Sequence, residues 1–595
     1  MDAVKNGTRS LTGTPGPDYW QNSSDYKIRA EFDPATRLLS GELWLDYKNN
    51  SPDSLRIVVL KLKQDIYRKG NTRDFEISPV AVHDGVEIKK LSVNGTAIDK
   101  GRGKSSYRRA GTNLIALLPE TLPAGGSINI EAEWSFTVPK ESGIRMGSYK
   151  DSSYFISYWF PQMAVYDDID GWDMIDYKGH TETYNDFSDY DVEITVPDDF
   201  IVWGTGLLQN ADEVLESKFV DRMKTASVSD TVIRIIAKED YESGGITKRN
   251  GKNRWKFKAE HVPDFAFGTS NSYYWDMTSL KPDKSDDRIA IVSAAYNPES
   301  KDFYEVAQIA QKSIEFLSKE MPGVPYPYPS MTVFNGSGGM EYPMIINDGS
   351  TQNRSRAAGL TSHEITHTYF PFYMGINERK YAWMDEGWAV MLPFEYQIRE
   401  GGSPIENNIS GYEEFAGSEE DTPPIIPSYL VTGKSYRNAS YSRPGVAYRL
   451  LHDMMGEEKF KDCLHFYMKS WNGKHPVPYD FFFSFEKVYG EDLGWFWKPW
   501  FLEQGYPDLG IKSSEYIDGK YNVEIEKIGN VPVPVKLTAV AADGSEKVIL
   551  LPVSVWANGN SIYKLTIDPG FKIVKLILGS GQIPDSFDKN NILEM

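Results

Sequence analysis

From about residue 26 to residue 267 the chain alternates apolar and polar residues with a period of two. Leu43, Leu45 and Tyr47 fall on one face of 41–47, and Ile128, Ile130, Ala132, Trp134 and Phe136 form a second set. Val192, Ile194 and Val196 form a third. Turns rich in Gly, Pro, Asn and Asp break these runs, which is the pattern of a large antiparallel β domain. No fixed repeat is visible, which disfavours a propeller or a solenoid. Ahead of the strands, residues 1–18 are rich in Gly, Pro, Ser and Thr and predict an extended arm.

The period changes near residue 270. Phe303, Val306, Ala307, Ala310, Ile314, Leu317 and Met321 recur at helical spacing, which predicts an amphipathic helix over 302–321. Helical spacing then dominates to about Gly505, with further helices predicted over 446–455, 457–471, 481–489 and 493–502. Beyond Pro507 strands return at 521–525, 532–540, 562–567 and 571–578, and the last 90 residues or so read as a small β-sandwich. The expectation is a multidomain α+β chain with an arm (1–18), an N-terminal β domain (19–270), a mainly helical domain (271–505) and a C-terminal β-sandwich (506–595).

Composition narrows the function classes. The 64 basic and 84 acidic residues give a net charge of −20, which opposes binding to nucleic acid or to anionic membrane surfaces. No apolar run is long enough for a membrane helix, and the opening MDAVKNGTRS predicts no signal peptide. Cys463 is the one cysteine, so a metal would be held by His and carboxylates. It falls in a helical pattern with Phe460 and Leu464, as a core residue does.

The eight histidines include His363-Glu364-Ile365-Thr366-His367, an H-E-x-x-H sequence inside a helix expected over 357–370 and stopped by Pro371. Residues at i and i+4 share a helix face, so both imidazoles reach one metal ion while Glu364 stands beside a water on it. Eighteen residues separate His367 from Glu386, at the start of another helical pattern. Two His, one Glu and an open position form the ligand set of catalytic zinc, whereas structural zinc takes four protein ligands.

With Gly338-Gly339-Met340-Glu341-Tyr342-Pro343 upstream, this spacing resembles the aminopeptidase N-type gluzincins. The resemblance implies one Zn²⁺ on His363, His367 and Glu386, with Glu364 as general base. It implies peptide substrates with a free N-terminus, whose α-amine is held by Glu341 in a pocket that includes Gly339 and Met340. The family usually has Asn where this chain has Tyr342, and Asn-Glu-Gly-Phe where it has Asp385-Glu386-Gly387-Trp388. Both departures keep the charged groups. The family's oxyanion-steadying tyrosine matches Tyr441, in Tyr441-Ser442-Arg443-Pro444-Gly445, with Tyr436 and Tyr448 competing for the role. A second carboxylate toward the amine, from the β domain, matches Glu182 in Gly179-His180-Thr181-Glu182-Thr183. The implied fold is a β saddle, a thermolysin-like catalytic domain and a β-sandwich. The resemblance gives no counterpart here to the large C-terminal helical domain of longer members, which implies a more open route to the site. A zinc endopeptidase or an epoxide hydrolase on the same ligands, or a non-catalytic scaffold, are the alternatives.

Overall fold

The computed structural model describes residues 2–141, 145–150 and 152–595. It has a β-rich N-terminal region, a central helical region and C-terminal β-sheets, as the sequence pattern predicts. The chain forms two compact units, Met1–Ser10 with Pro15–Asn377 and Trp471–Pro476, and Leu11–Thr14 with Glu378–Ser470 and Val477–Met595.

In the first unit an eight-stranded sheet carries the alternating segments. Ser23–Asp33 pairs antiparallel with Leu38–Lys48 and parallel with Ser188–Pro197. Leu38–Lys48 pairs in turn with Ser127–Thr137. Along Ser23–Asp33 burial alternates without interruption, with Tyr26, Ile28, Ala30 and Phe32 inward. This is the strand geometry of period two, one face in and one face out. Trp134 continues the core, its indole N–H donating to the Trp159 carbonyl at 2.9 Å.

A second sheet of five strands was not legible in the sequence. Its order is Ile233–Ile236, Tyr274–Leu280, Ala290–Tyr296, Ser330–Asn335 and Ile345–Asp348, the last three parallel to one another. Ser330–Asn335 and Ile345–Asp348 are buried throughout. Strands covered on both faces read as short apolar runs without alternation, so the helical spacing around them dominates the pattern. Two helices, Ser217–Ala226 and Lys238–Ser243, likewise lie within the region that reads as strand. The expected helix over 302–321 forms as a 3₁₀ turn, Lys301–Tyr304, followed by the α-helix Val306–Lys319.

The N-terminal arm is only partly extended. Asp2–Lys5 forms one helical turn. Arg9 is buried and makes a bidentate pair with Asp168, at 2.9 Å from Nε and 2.8 Å from a terminal nitrogen, while Thr8 donates to the same carboxylate at 2.7 Å. Burial raises the Asp168 pKa, but the Arg9 guanidinium and Thr8 outweigh it and hold the carboxyl below its usual range. The acidic run 167–170 is thereby a docking point for the arm. His475 has a structural place of the same kind, between the Gly375 carbonyl (2.8 Å) and Asp186 (3.2 Å).

The second unit is built on an aromatic core. Trp388 stacks on Tyr448 with centroids 3.8 Å apart, and Trp383, Phe481, Phe482, Trp497 and Phe501 continue the cluster. Glu457–Trp471 forms as predicted, with Cys463 fully buried. Burial pushes the Cys463 thiol up to about 12, so it stays protonated and inert. The chain then enters two sheets. One comprises Leu509–Ile517, Lys520–Lys527 and Ile562–Ile567, the other Glu546–Leu551, Val535–Ala541, Ile573–Leu578 and Ile592–Glu594. Tyr521, Val523 and Ile525 on one, and Val535, Leu537 and Ala539 on the other, are the inward sets. Among the described residues no helix is long and apolar enough to cross a membrane.

Candidate active site

The two histidines lie at the end of the helix Arg354–Thr366 in the first unit. Asn353 caps its start, the side chain accepting from the Arg356 N–H at 3.0 Å. Ala357 and Ala358 are buried, and this helix packs against Val306–Lys319. The helix stops at Thr366, four residues earlier than the periodicity predicts, and the chain turns through Thr368–Tyr373 with Phe370 in a non-helical conformation (φ −133°, ψ 109°). That turn aims the Phe370 carbonyl at His367 Nδ1, 3.1 Å away. A proton on Nδ1 donates to this carbonyl and leaves the Nε2 lone pair outward, the tautomer a metal ligand needs. His363 Nε2 and His367 Nε2 are 3.3 Å apart. Two nitrogens, each about 2.0–2.1 Å from one tetrahedral zinc, would stand about 3.3–3.4 Å from each other. The histidine pair thus fits a shared zinc ion.

The loop carrying Glu341 runs over this helix. Gly338 takes a positive φ of +84°. Gly339 lies so close to Glu364 that a β-carbon would stand 2.3 Å from Glu364 Oε1 and 2.7 Å from Leu360 Cδ1. A glycine here lets the backbone cross the general-base candidate. Glu341 is buried, and one of its carboxylate oxygens lies within 4.8 Å of a ring nitrogen of His367. A carboxylate oxygen of Glu341 also lies within 4.8 Å of one of Glu182. The structure therefore brings His363, His367, Glu364, Gly339, Met340, Glu341 and Glu182 to one region of the first unit.

Sequence reading missed Arg145, which sits in that region. Its guanidinium grips Glu182 through both terminal nitrogens (2.6 and 2.5 Å), donates from Nε to Tyr177 Oη at 3.0 Å, and contacts Met340 Sδ. Burial works against its charge, but Glu182, together with the Tyr177 and Tyr158 hydroxyls, holds the pKa above the ordinary arginine value. No motif marks a lone Arg between strands. Only the fold brings it to the loop.

In the second unit, Glu386 is the first residue of the helix Glu386–Met391, as its position before a helical pattern predicts. Gly387 faces Pro444 and Tyr448, where a β-carbon would meet atoms at 2.7 and 2.8 Å, so this helix packs closely on Arg443–Met455. The close packing and the Trp388–Tyr448 stack fix Glu386 beside Tyr441, whose hydroxyl donates to Glu386 Oε1. The competing Tyr448 instead donates to the Trp383 carbonyl at 3.2 Å, and Tyr436 is buried with its ring against that of Tyr441. Arg443 is fully buried. It pairs with Asp421 at 2.8 Å and donates to the carbonyls of Pro499, Trp500 and Glu503, which anchors the turn that carries Tyr441.

Asp348, another residue the sequence did not flag, supports the histidine helix from the sheet. It accepts from Thr361 Oγ1 at 2.7 Å, while its Oδ1 is buried without a hydrogen bond among the described residues. Burial, helped by the nearby Asp302 charge and opposed by Thr361, pushes the carboxyl up to about 7. The folded state therefore holds a proton that the unfolded state releases near pH 4. Stability falls as pH rises from about 4 to about 7 and then levels off, by roughly 4 kcal/mol at most. Asp348→Asn removes this dependence. The melting temperature of the variant is expected to gain on wild type between pH 5 and pH 8, and a difference constant with pH would contradict it.

This chain is similar to known proteins in sequence and in fold. Residues 307–500 match the Peptidase family M1 domain. A probable aminopeptidase 2 from Sulfurisphaera tokodaii is 21% identical over 36% of this chain and 27% of its own length. Glutamyl aminopeptidase from Sus scrofa is 23% identical over 38% of this chain and 26% of its own length. The matched segments thus span about a quarter of these curated relatives. Among solved structures, Legionella pneumophila aminopeptidase A, crystallised with aspartic acid, aligns over 94% of this chain and 60% of its own (TM-score 0.63, 13% identity). The M1 zinc metallopeptidase from Deinococcus radiodurans aligns over 81% of this chain and 94% of its own (TM-score 0.52, 15% identity). The fold of this chain is similar to theirs, and its residues 307–500 carry the likeness to the Peptidase family M1 domain.

Proposed function

We propose that this protein is a zinc aminopeptidase that hydrolyses the N-terminal peptide bond of peptides. The observation that carries the reading is the paired Nε2 atoms of His363 and His367, 3.3 Å apart, with the buried Glu341 carboxylate within 4.8 Å of His367. A metal-ligand pair beside a fixed anion is what an exopeptidase needs to measure one residue from a free amine. Glu386, with eighteen residues between it and His367, is the third ligand in this reading. Zinc bound by these three would polarise the scissile carbonyl and lower the pKa of a water.

The remaining steps belong to the chain's own side chains. Glu341 pairs with the α-ammonium and sets which bond reaches the reacting position. Glu364 takes a proton from the attacking water and returns it to the leaving amine. The Tyr441 hydroxyl, which donates to Glu386 Oε1 in this structure, turns its proton toward the oxyanion as negative charge develops there. Gly339 and Met340 form the wall against which the first residue of the substrate lies.

Metal analysis tests the ligand set. The purified chain is expected to carry about one zinc per molecule, and His363→Ala or His367→Ala to carry none while keeping the wild-type circular dichroism. A metal-free wild type with no activity restored by zinc would overturn the reading.

A further inference from the structure

Arg145 makes contacts on both sides of Glu341. Its guanidinium reaches Met340, the residue before, and its carbonyl accepts from Ser157 Oγ at 2.5 Å. Ser157 Oγ is in turn hydrogen-bonded to Tyr342 Oη, the residue after, at 2.8 Å. Tyr342 stands where the family usually has Asn, and this structure gives the tyrosine a use. Its hydroxyl closes the link to Ser157, and its ring packs against Phe155 (5.3 Å) and edge-on to Tyr158 (5.6 Å). Tyr158 also lies 6.0 Å under the Arg145 guanidinium. The same guanidinium takes both oxygens of Glu182, a carboxylate within 4.8 Å of that of Glu341. Two carboxylates this close repel, and a buried charge without a partner costs more than the pair returns.

We propose that Arg145 is a positioning residue for the amine end of the site. It holds Met340 by its side chain and Tyr342 through Ser157, and it spends the charge of Glu182 on itself, so that Glu341 is presented to the substrate ammonium. The inference rests on the aminopeptidase reading for its kinetics but not for its geometry. It assigns Glu182 a charge-balancing place beside the ammonium.

Charge balance has a signature that a merely structural role lacks. Glu182→Gln leaves the Arg145 cation uncompensated beside the ammonium position. It is expected to raise KM for a free-amine aminoacyl anilide at least fivefold, with kcat within about twofold of wild type. Arg145→Gln with Glu182→Gln removes both charges and is expected to bring KM back toward wild type, while kcat falls because the loop is loosened. Arg145→Gln alone is expected to lower kcat at least tenfold, and Arg145→Lys to recover part of it. A double variant whose KM is no lower than that of Glu182→Gln would overturn the charge balance. The crystal structure of Arg145→Gln tests the positioning without any assay, because the 338–342 loop is expected to shift or lose order. An unmoved loop would overturn the proposal even if the enzyme were active. An inactive wild type with a displaced loop in the variant would instead uphold the positioning and count against the aminopeptidase reading.

Discussion

Glu364→Gln is expected to abolish turnover while leaving zinc in place. The substitution keeps the shape and hydrogen-bonding length of the side chain but removes the group proposed to accept the proton of the attacking water. General-base catalysis contributes about 10²–10⁴-fold, so the variant should retain at most about 1% of the wild-type kcat. Glu364 is buried on the helix between the two histidines, under the Gly339 backbone, so the amide adds no volume and the fold should persist. The measurement is kcat on an aminoacyl anilide, with zinc content and melting temperature taken from the same preparation. Wild-type turnover by this variant would remove Glu364 from the mechanism. Lost zinc would make it a structural support for the histidines.

Glu341→Gln carries the second large effect, and it falls on one substrate class. In the proposed function a free-amine substrate then loses the carboxylate that pairs with its ammonium and, with it, the position of the scissile bond. Misplacement by about 1 Å costs about 10²-fold, and loss of the ion pair adds to that. The expected fall in kcat/KM is about 10²–10³-fold. An N-acetylated substrate has no ammonium to lose, so its low rate should change little. Equal losses on both substrates would mean that Glu341 supports the fold of the loop and does not read the amine.

The parts of this site that were legible in the sequence are the parts set by local spacing. The i, i+4 histidines need only a helix, and the helix is there, though it ends at Thr366. The expected stop at Pro371 was misplaced, because the helix ends at Thr366 and the chain turns through Thr368–Tyr373, which no periodicity marks. Glu386 at a helix start and Tyr441 just ahead of another helix are also local features. The outer strands of the first unit were legible because one face is wet. The inner sheet, with Ser330–Asn335 and Ile345–Asp348 buried on every residue, was not.

Long-range partners were not legible at all. Arg145 is 195 residues from Met340 and 37 from Glu182, and nothing in either segment announces the other. Asp348 belongs to the same class, since the proton it holds comes from burial behind the 354–366 helix and not from its sequence neighbours. The departure at Tyr342 was visible in the sequence, but its reason, the bond to Ser157, is tertiary. The acidic run 167–170 and His475 show the reverse case, in which conspicuous residues turn out to be tied to Arg9, Asp186 and the Gly375 carbonyl.

In the proposed function this site measures one residue from a free amine. The most direct measurement is the ratio of kcat/KM for an aminoacyl anilide and its N-acetyl counterpart, using the zinc-loaded wild-type chain. The free amine is expected to be favoured by at least about 10², since acetylation removes the partner of Glu341 and adds bulk at the buried end of the site. A ratio near one would contradict it and leave an endopeptidase on the same zinc ligands.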